Sequence, residues 1–245
     1  MEEREGQPME ELEGQRVLHS FFNGASELIG KKDELNTINV FPVADGDTGS
    51  NLASLMQTIL DSVAPDLSSV ERVLTDVADA ALLGARGNSG IIFAQYLNAV
   101  SLFFEQSEKN TSGFVQALNQ AVSEAYQALL DPKEGTILTV MRVWAEAVHQ
   151  SFLRNLSLEQ ALLAARERAF KALIQTEFQM DILRKNRLVD SGAKGFYIFI
   201  DGFTAAFSRQ VAVVPVQPAV QVPRLISRWR PLLKNRPIAI VRRSW

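Results

Sequence analysis

Apolar residues recur at helical spacing along most of the chain. Leu52, Leu55, Met56, Ile59, Leu60 and Val63 fall at i, i+3, i+4, i+7, i+8 and i+11, the stripe of an amphipathic helix. Ile137, Val140, Met141, Trp144, Ala145 and Val148 repeat the same pattern. The same periodicity predicts helices from about Glu10 to Gly30, from Val70 to Ala81, from Ile91 through Leu97, and from Ser112 to Leu130. Two more follow Ser157 and span Phe196 to Phe207. Eight helices result, with no strand pattern before the chain passes residue 210. Consecutive helices in a bundle run antiparallel, so the starts of the second, fourth, sixth and eighth share one end. The expected fold is all-α.

Composition narrows the chemistry. The 245 residues are 47% hydrophobic, enough for a sizeable core and too apolar for global disorder. There is no cysteine, which removes disulfides, thiolate catalysis and Cys-type zinc sites. Only two histidines occur, His19 and His149, so a His-rich metal site or a Ser-His-Asp triad is not expected. The net charge of -3 is poorly suited to nucleic acid. Charge is unevenly spread. From Arg224 to Trp245 there are seven basic residues and no acid, leaving 18 basic against 28 acidic residues in the body. No run is long and apolar enough for a transmembrane helix. The acidic start, Met1-Glu2-Glu3-Arg4-Glu5, is the opposite of a secretory signal, and the expected location is cytoplasmic. Residues 1–9 are expected to be disordered. After Ser208 a proline-interrupted, extended linker leads into the basic tail, so the domain is expected over 10–208 and the tail over 209–245.

Chemistry gathers at the four helix starts. Asp45-Gly46-Asp47 places two carboxylates around a glycine that tolerates unusual backbone angles. Such a pair can aim at one hard cation such as Mg2+, and a solvated turn has the same composition. Thr48, Ser50 or Asn51 could cap the helix that follows. Gly84-Ala85-Arg86-Gly87-Asn88-Ser89-Gly90 lacks the Gly-Lys-Ser/Thr of a P-loop and the glycine spacing of a dinucleotide fingerprint. Small residues at a helix start nevertheless suit an anion, or simply a tight turn. Thr136 stands at an N-cap or in a first turn. Asp190-Ser191-Gly192 reads either as an anion- or ribose-friendly loop or as an Asp cap. Brought to one end, the acids and the helix N-termini form a nucleotide site built without a sheet.

The same segments carry a family resemblance. Asn39-Val40-Phe41-Pro42-Val43-Ala44-Asp45-Gly46-Asp47-Thr48-Gly49-Ser50-Asn51, the 84–90 segment, Glu134-Gly135-Thr136-Ile137-Leu138 and Val189-Asp190-Ser191-Gly192-Ala193-Lys194-Gly195 resemble the nucleotide-binding domain of the dihydroxyacetone kinase L type (DhaL or DAK2). Within it they are most similar to the N-terminal domain of bacterial fatty acid kinase. The resemblance covers roughly residues 10–208. It implies an eight-helix antiparallel up-and-down barrel with ATP or ADP and two Mg2+ at one end. It makes Asp45 and Asp47 metal ligands and puts Asn39 in the place of a third. Ser50 and Asn51, with Gly87, Asn88, Ser89 and Gly90, would hold the nucleotide's phosphates, and Thr48 and Gly49 join them in the cofactor-binding set. Thr136, Asp190, Ser191 and Gly192 would close over it. No catalytic residue is implied beyond these ligands.

The acceptor follows from chemistry. Phosphoryl transfer depends on positioning and charge neutralisation. A hydroxyl acceptor also needs a base, whereas a carboxylate is already ionised at neutral pH. No histidine lies in the four segments, and Thr48 stands where the dihydroxyacetone branch resembles Asp-His. A fatty acid carboxylate is therefore favoured. The resemblance implies that a separate fatty-acid-binding protein presents it, and a homodimer is compatible. Glycerone (dihydroxyacetone) kinase-like activity and a non-catalytic nucleotide-binding module are the alternatives.

Overall fold

A computed structural model describes residues 12–42 and 44–209. The disordered start expected over 1–9, and the tail after Arg209, lie outside the described residues. Ten helices and no strand occur among the described residues. The eight long ones are α1 (Gly14–Gly30), α3 (Thr48–Ser62), α4 (Val70–Gly84), α5 (Gly87–Glu105), α6 (Thr111–Gln127), α7 (Ile137–Leu153), α8 (Leu158–Gln179) and α10 (Ser191–Phe207). Two six-residue helices, α2 (Lys32–Thr37) and α9 (Asp181–Asn186), fill stretches too short to show periodicity.

Each long helix packs on the next in chain order from α3 through α8, α8 packs on α10, and α10 returns to α1 and so to α3. The order closes on itself. Cross-connections show α1 and α10 running antiparallel. Arg16 at the start of α1 donates to the Phe207 carbonyl at the end of α10, while Ser191 at the start of α10 donates to the Leu35 carbonyl beyond α1. Tyr96 of α5 reaches the Leu118 carbonyl of α6, and Arg168 of α8 reaches Gln150 of α7. Glycines let two pairs of helices approach closely. A Cβ on Gly24 would stand 2.6 Å from the Phe199 carbonyl oxygen, and one on Gly84 2.6 Å from Thr58 Oγ1.

The core sits inside the ring and is rich in aromatics. Phe196 of α10 meets Phe93 at 5.2 Å, Trp144 at 5.9 Å and Tyr96 at 6.2 Å between ring centres, each edge to face. That is the geometry the ring quadrupoles favour. Helix α8 is apolar on two sides. Leu158, Ala161, Leu162, Ala165, Ala169 and Leu173 are buried, while Leu163, Phe170, Ile174 and Phe178 are exposed.

The observed boundaries change the reading of the motifs. The glycine-rich segment was expected as a loop before a helix starting at Ile91. Instead α4 runs to Gly84 and α5 begins at Gly87, so only Ala85 and Arg86 connect them. Likewise Thr48–Asn51 and Ser191–Gly195 are first turns of helices, not loops. Glycine lowers helix propensity, but tertiary packing outweighs that cost in a first turn.

Candidate functional site

The starts of α3, α5, α7 and α10 meet at one end of the ring. Gly87 has φ +59, and a Cβ there would stand 2.5 Å from Asn51 Nδ2 of α3. A Cβ on Gly192 of α10 would stand 2.5 Å from Ser89 Oγ of α5. Glycine at both positions is what allows the helix starts to touch. Asp190 caps α10 by accepting from the Ala193 N–H at 2.8 Å, and its carboxylate also accepts from Gly192 and from Ile137, the first residue of α7. One buried carboxylate thus joins two helix N-termini. Burial drives its pKa up to about 6, although the three N–H groups pull the other way.

Beside the starts of α5, α7 and α10 lies a cavity of about 320 Å³, lined by Phe41, Pro42, Asn88, Ser89, Ile92, Leu129, Leu130, Asp131, Lys133, Thr136, Ile137 and Asp190. A mostly apolar pocket of this size with a few convergent polar groups is the usual form of a small-molecule site. Thr136 is the N-cap residue of α7, but its hydroxyl donates to the Lys133 carbonyl at 2.7 Å and does not cap. Ser191 lies below the rim, buried and bonded to the Leu35 carbonyl.

The acidic segment borders this cavity through Phe41 and Pro42. Gly46 takes φ +66, which lets the chain turn between Asp45 and Asp47, both exposed. Asn39 is 5% exposed, and its Nδ2 donates to Asp45 Oδ1 at 2.7 Å. Its Oδ1 is buried with no partner among the described residues. The described residues contain no group of three or more His, Asp or Glu side chains placed to hold a metal. The candidate set is two carboxylates and an amide. The expected cap of α3 is corrected. Asp47 is the N-cap residue without a side-chain bond, and Thr48, Ser50 and Asn51 do not cap. Asn36 of α2 does the work from outside, accepting from the Ser50 N–H at 3.0 Å and donating to Ser50 Oγ at 2.9 Å. Gly49 packs so closely on α2 that a Cβ would stand 2.1 Å from the Lys32 carbonyl oxygen.

Sequence reasoning brought the right helix starts together. It missed the apolar walls, Ile92, Leu129, Leu130 and Ile137, and the charged pair Asp131 and Lys133. Leu129 and Leu130 sit at the end of a helical stripe and give no separate signal. Asn36 was missed because a capping residue supplied by another helix leaves no local pattern.

The DAK2 domain family matches residues 42–205. The chain belongs to that family. Protein YloV of Bacillus subtilis is 33% identical over 210 residues, covering 83% of this chain and 38% of YloV. An uncharacterized protein of Staphylococcus saprophyticus is 33% identical over 197 residues, covering 80% of this chain and 36% of that protein. A crystal structure of the dihydroxyacetone kinase from C. freundii in complex with AMP-PNP and Mg2+ shares the fold, with a TM-score of 0.61 at 16% identity, over 84% of this chain and 37% of the kinase. The chain therefore spans well under half the length of each. Among the described residues no helix is long and apolar enough to cross a membrane.

Proposed function

We propose that this chain is the ATP-binding, phosphoryl-donating part of a fatty acid kinase. It would transfer phosphate to the carboxylate of a fatty acid held by a separate acyl-binding protein and give an acyl phosphate. The observation that carries the reading is the meeting of four helix starts beside an apolar pocket, with two exposed carboxylates just before α3.

The pocket gives the nucleotide a direction. Asp190 already occupies the N-termini of α7 and α10, so these ends repel further anions. The first turns of α3 and α5 carry no acidic side chain and no cap from their own N-cap side chains. In α3 the Ser50 N–H goes to Asn36 and the Asn51 N–H to the Asp47 carbonyl, so Thr48 and Gly49, with the Gly87–Gly90 turn that opens α5, are left for an anion. The phosphates belong between α3 and α5, and the base belongs against Leu129, Leu130 and Ile137. There the apolar walls exclude water and Thr136 and Asp190 close the inner side.

The residues fit Mg2+. That ion takes oxygen ligands, keeps several waters and typically uses one or two protein carboxylates together with substrate phosphates. Asp45 and Asp47 supply the carboxylates, and the unpartnered Asn39 Oδ1 is a buried oxygen that lacks a donor. When bound, the ion neutralises charge on the phosphates. The structural relative's complex with AMP-PNP and Mg2+ supports binding of a nucleotide and Mg2+ in general.

The acceptor is argued from the missing base. His149 is about 18 Å along α7 from its first turn, and His19 is about 16 Å along α1 from the end nearest α2, at 1.5 Å per residue. Neither is placed to deprotonate a hydroxyl at this end, and Asp190 is committed to backbone N–H groups. A carboxylate acceptor requires no such base. Kinship with the dihydroxyacetone kinase fold favours the second reading, transfer to dihydroxyacetone.

The test is calorimetric binding of Mg-ATP together with phosphoryl transfer in the presence of a fatty-acid-binding partner. Asp45→Asn and Asp47→Asn should each weaken Mg-ATP binding and abolish acyl phosphate formation. Unchanged turnover in either variant would sink the proposal. Transfer to dihydroxyacetone instead would select the second reading, and binding without any transfer would make the chain a nucleotide-binding module.

A further inference from the structure

The outer wall of the pocket is the connection between α6 and α7. It supplies Leu129, Leu130, Asp131, Lys133 and Thr136 to the lining, and although Leu129 packs on the core, residues 130–134 are exposed; Leu130 is 85% exposed. One side chain ties it down. Glu134 accepts from Tyr126 Oη of α6 at 2.7 Å through one oxygen. Its other oxygen accepts from Thr139 Oγ1 and, at 3.3 Å, from Arg142 Nη2, both on α7. Arg142 Nε also reaches Tyr126 Oη at 3.3 Å. Thr139 Oγ1 in turn accepts from the buried Gly135 N–H at 2.8 Å. The wall, α6 and α7 thus share one closed network. Gly135 has φ +81, and its Cα faces Gln179 and Met180, so the turn is also pressed against the end of α8.

We propose that Glu134 is a positioning residue, the clasp that holds the α6–α7 connection in place as the wall against which the nucleotide base packs. This rests on the nucleotide reading of the same pocket. Glu134 touches neither the cavity nor the candidate metal ligands, so its influence passes through Leu129, Leu130 and Thr136. Charge-assisted hydrogen bonds are stronger than neutral ones, and here three elements depend on one carboxylate. A wall that swings free must be ordered again by each incoming ligand, and affinity falls by the population of the closed form.

Glu134→Gln keeps the shape and removes the charge. Tyr126→Phe removes the hydroxyl that donates to Glu134 and accepts from Arg142 while leaving the carboxylate in place, and serves as the milder variant if the first folds poorly. Two measurements are made on the full chain: hydrogen exchange at the Gly135 amide without ligand, and calorimetric affinity for Mg-ADP. The expected result is faster exchange over residues 128–136 in both variants, with Mg-ADP affinity reduced roughly tenfold in Glu134→Gln. A residue of merely structural importance would lower the melting temperature and leave the affinity of the folded protein unchanged. Unchanged exchange, or faster exchange with unchanged affinity, overturns the clasp. Failure of the wild-type chain to bind Mg-ADP overturns the nucleotide reading instead, and the clasp then stands or falls on the exchange at Gly135 alone.

Discussion

Replacing Asp190 with Asn removes a charge buried between the starts of α7 and α10. Folding takes this carboxyl from water into a site that raises its pKa from 3.8 to about 6. The folded form then holds the proton more tightly than the unfolded form. Stability from this group is fully present below about pH 3.8 and is lost as pH rises through about 6. A shift of roughly two units corresponds to about 3 kcal/mol between the two limits. Because the group is buried, solvent screening does not reduce the effect. Asn cannot titrate, so Asp190→Asn lacks this component, although its amide N–H groups would face the N–H groups of Gly192, Ala193 and Ile137 and cost stability at every pH. The assay is denaturant unfolding of both proteins from pH 7 to about pH 4. Other carboxylates contribute equally to both and cancel in the difference. The wild type should gain on the variant by about 2–3 kcal/mol as pH falls across that range. Parallel profiles, or a wild type that loses ground as pH falls, would refute the assignment of a destabilised buried carboxylate.

The glycine-rich start of α5 supplies a paired test. Gly87→Ala puts a side chain at positive φ and presses Asn51, so it should cost about 1–2 kcal/mol of stability and shrink the thermal shift given by Mg-ADP. Gly90→Ala meets nothing nearer than 3.7 Å and should stay within about 1 kcal/mol of wild type or gain slightly from helix propensity, read by the same melts. In the core, Phe196→Ala empties the point where Phe93, Tyr96 and Trp144 meet, and chemical denaturation should show a loss of about 3–5 kcal/mol.

The helices were legible because burial imposes a period that the backbone fixes. The stripes over Leu52–Val63 and Ile137–Val148 reappear as buried faces of α3 and α7. Helices α2 and α9 were not legible, since six residues complete fewer than two turns and show no period. The Gly-rich segment read as a loop for the same kind of reason. Local propensity disfavours glycine in a helix, and only contacts with Asn51 and Ser89, distant in sequence, decide that these residues open α5 and α10.

By itself, the sequence determined an all-α chain, the four helix starts that hold the candidate residues, and the acidic pair Asp45 and Asp47. These depend on spacing along one strand of polypeptide, or on residue type alone. The tertiary structure decided the rest. It set the closure of α10 onto α1, the apolar walls from Ile92, Leu129 and Leu130, and the cap that Asn36 lends to α3. It also decided that Asp190 faces inward to bind two helix ends, where burial raises its pKa. Each of these joins residues far apart in the chain, and the energy of such a contact exists only once the helices are packed.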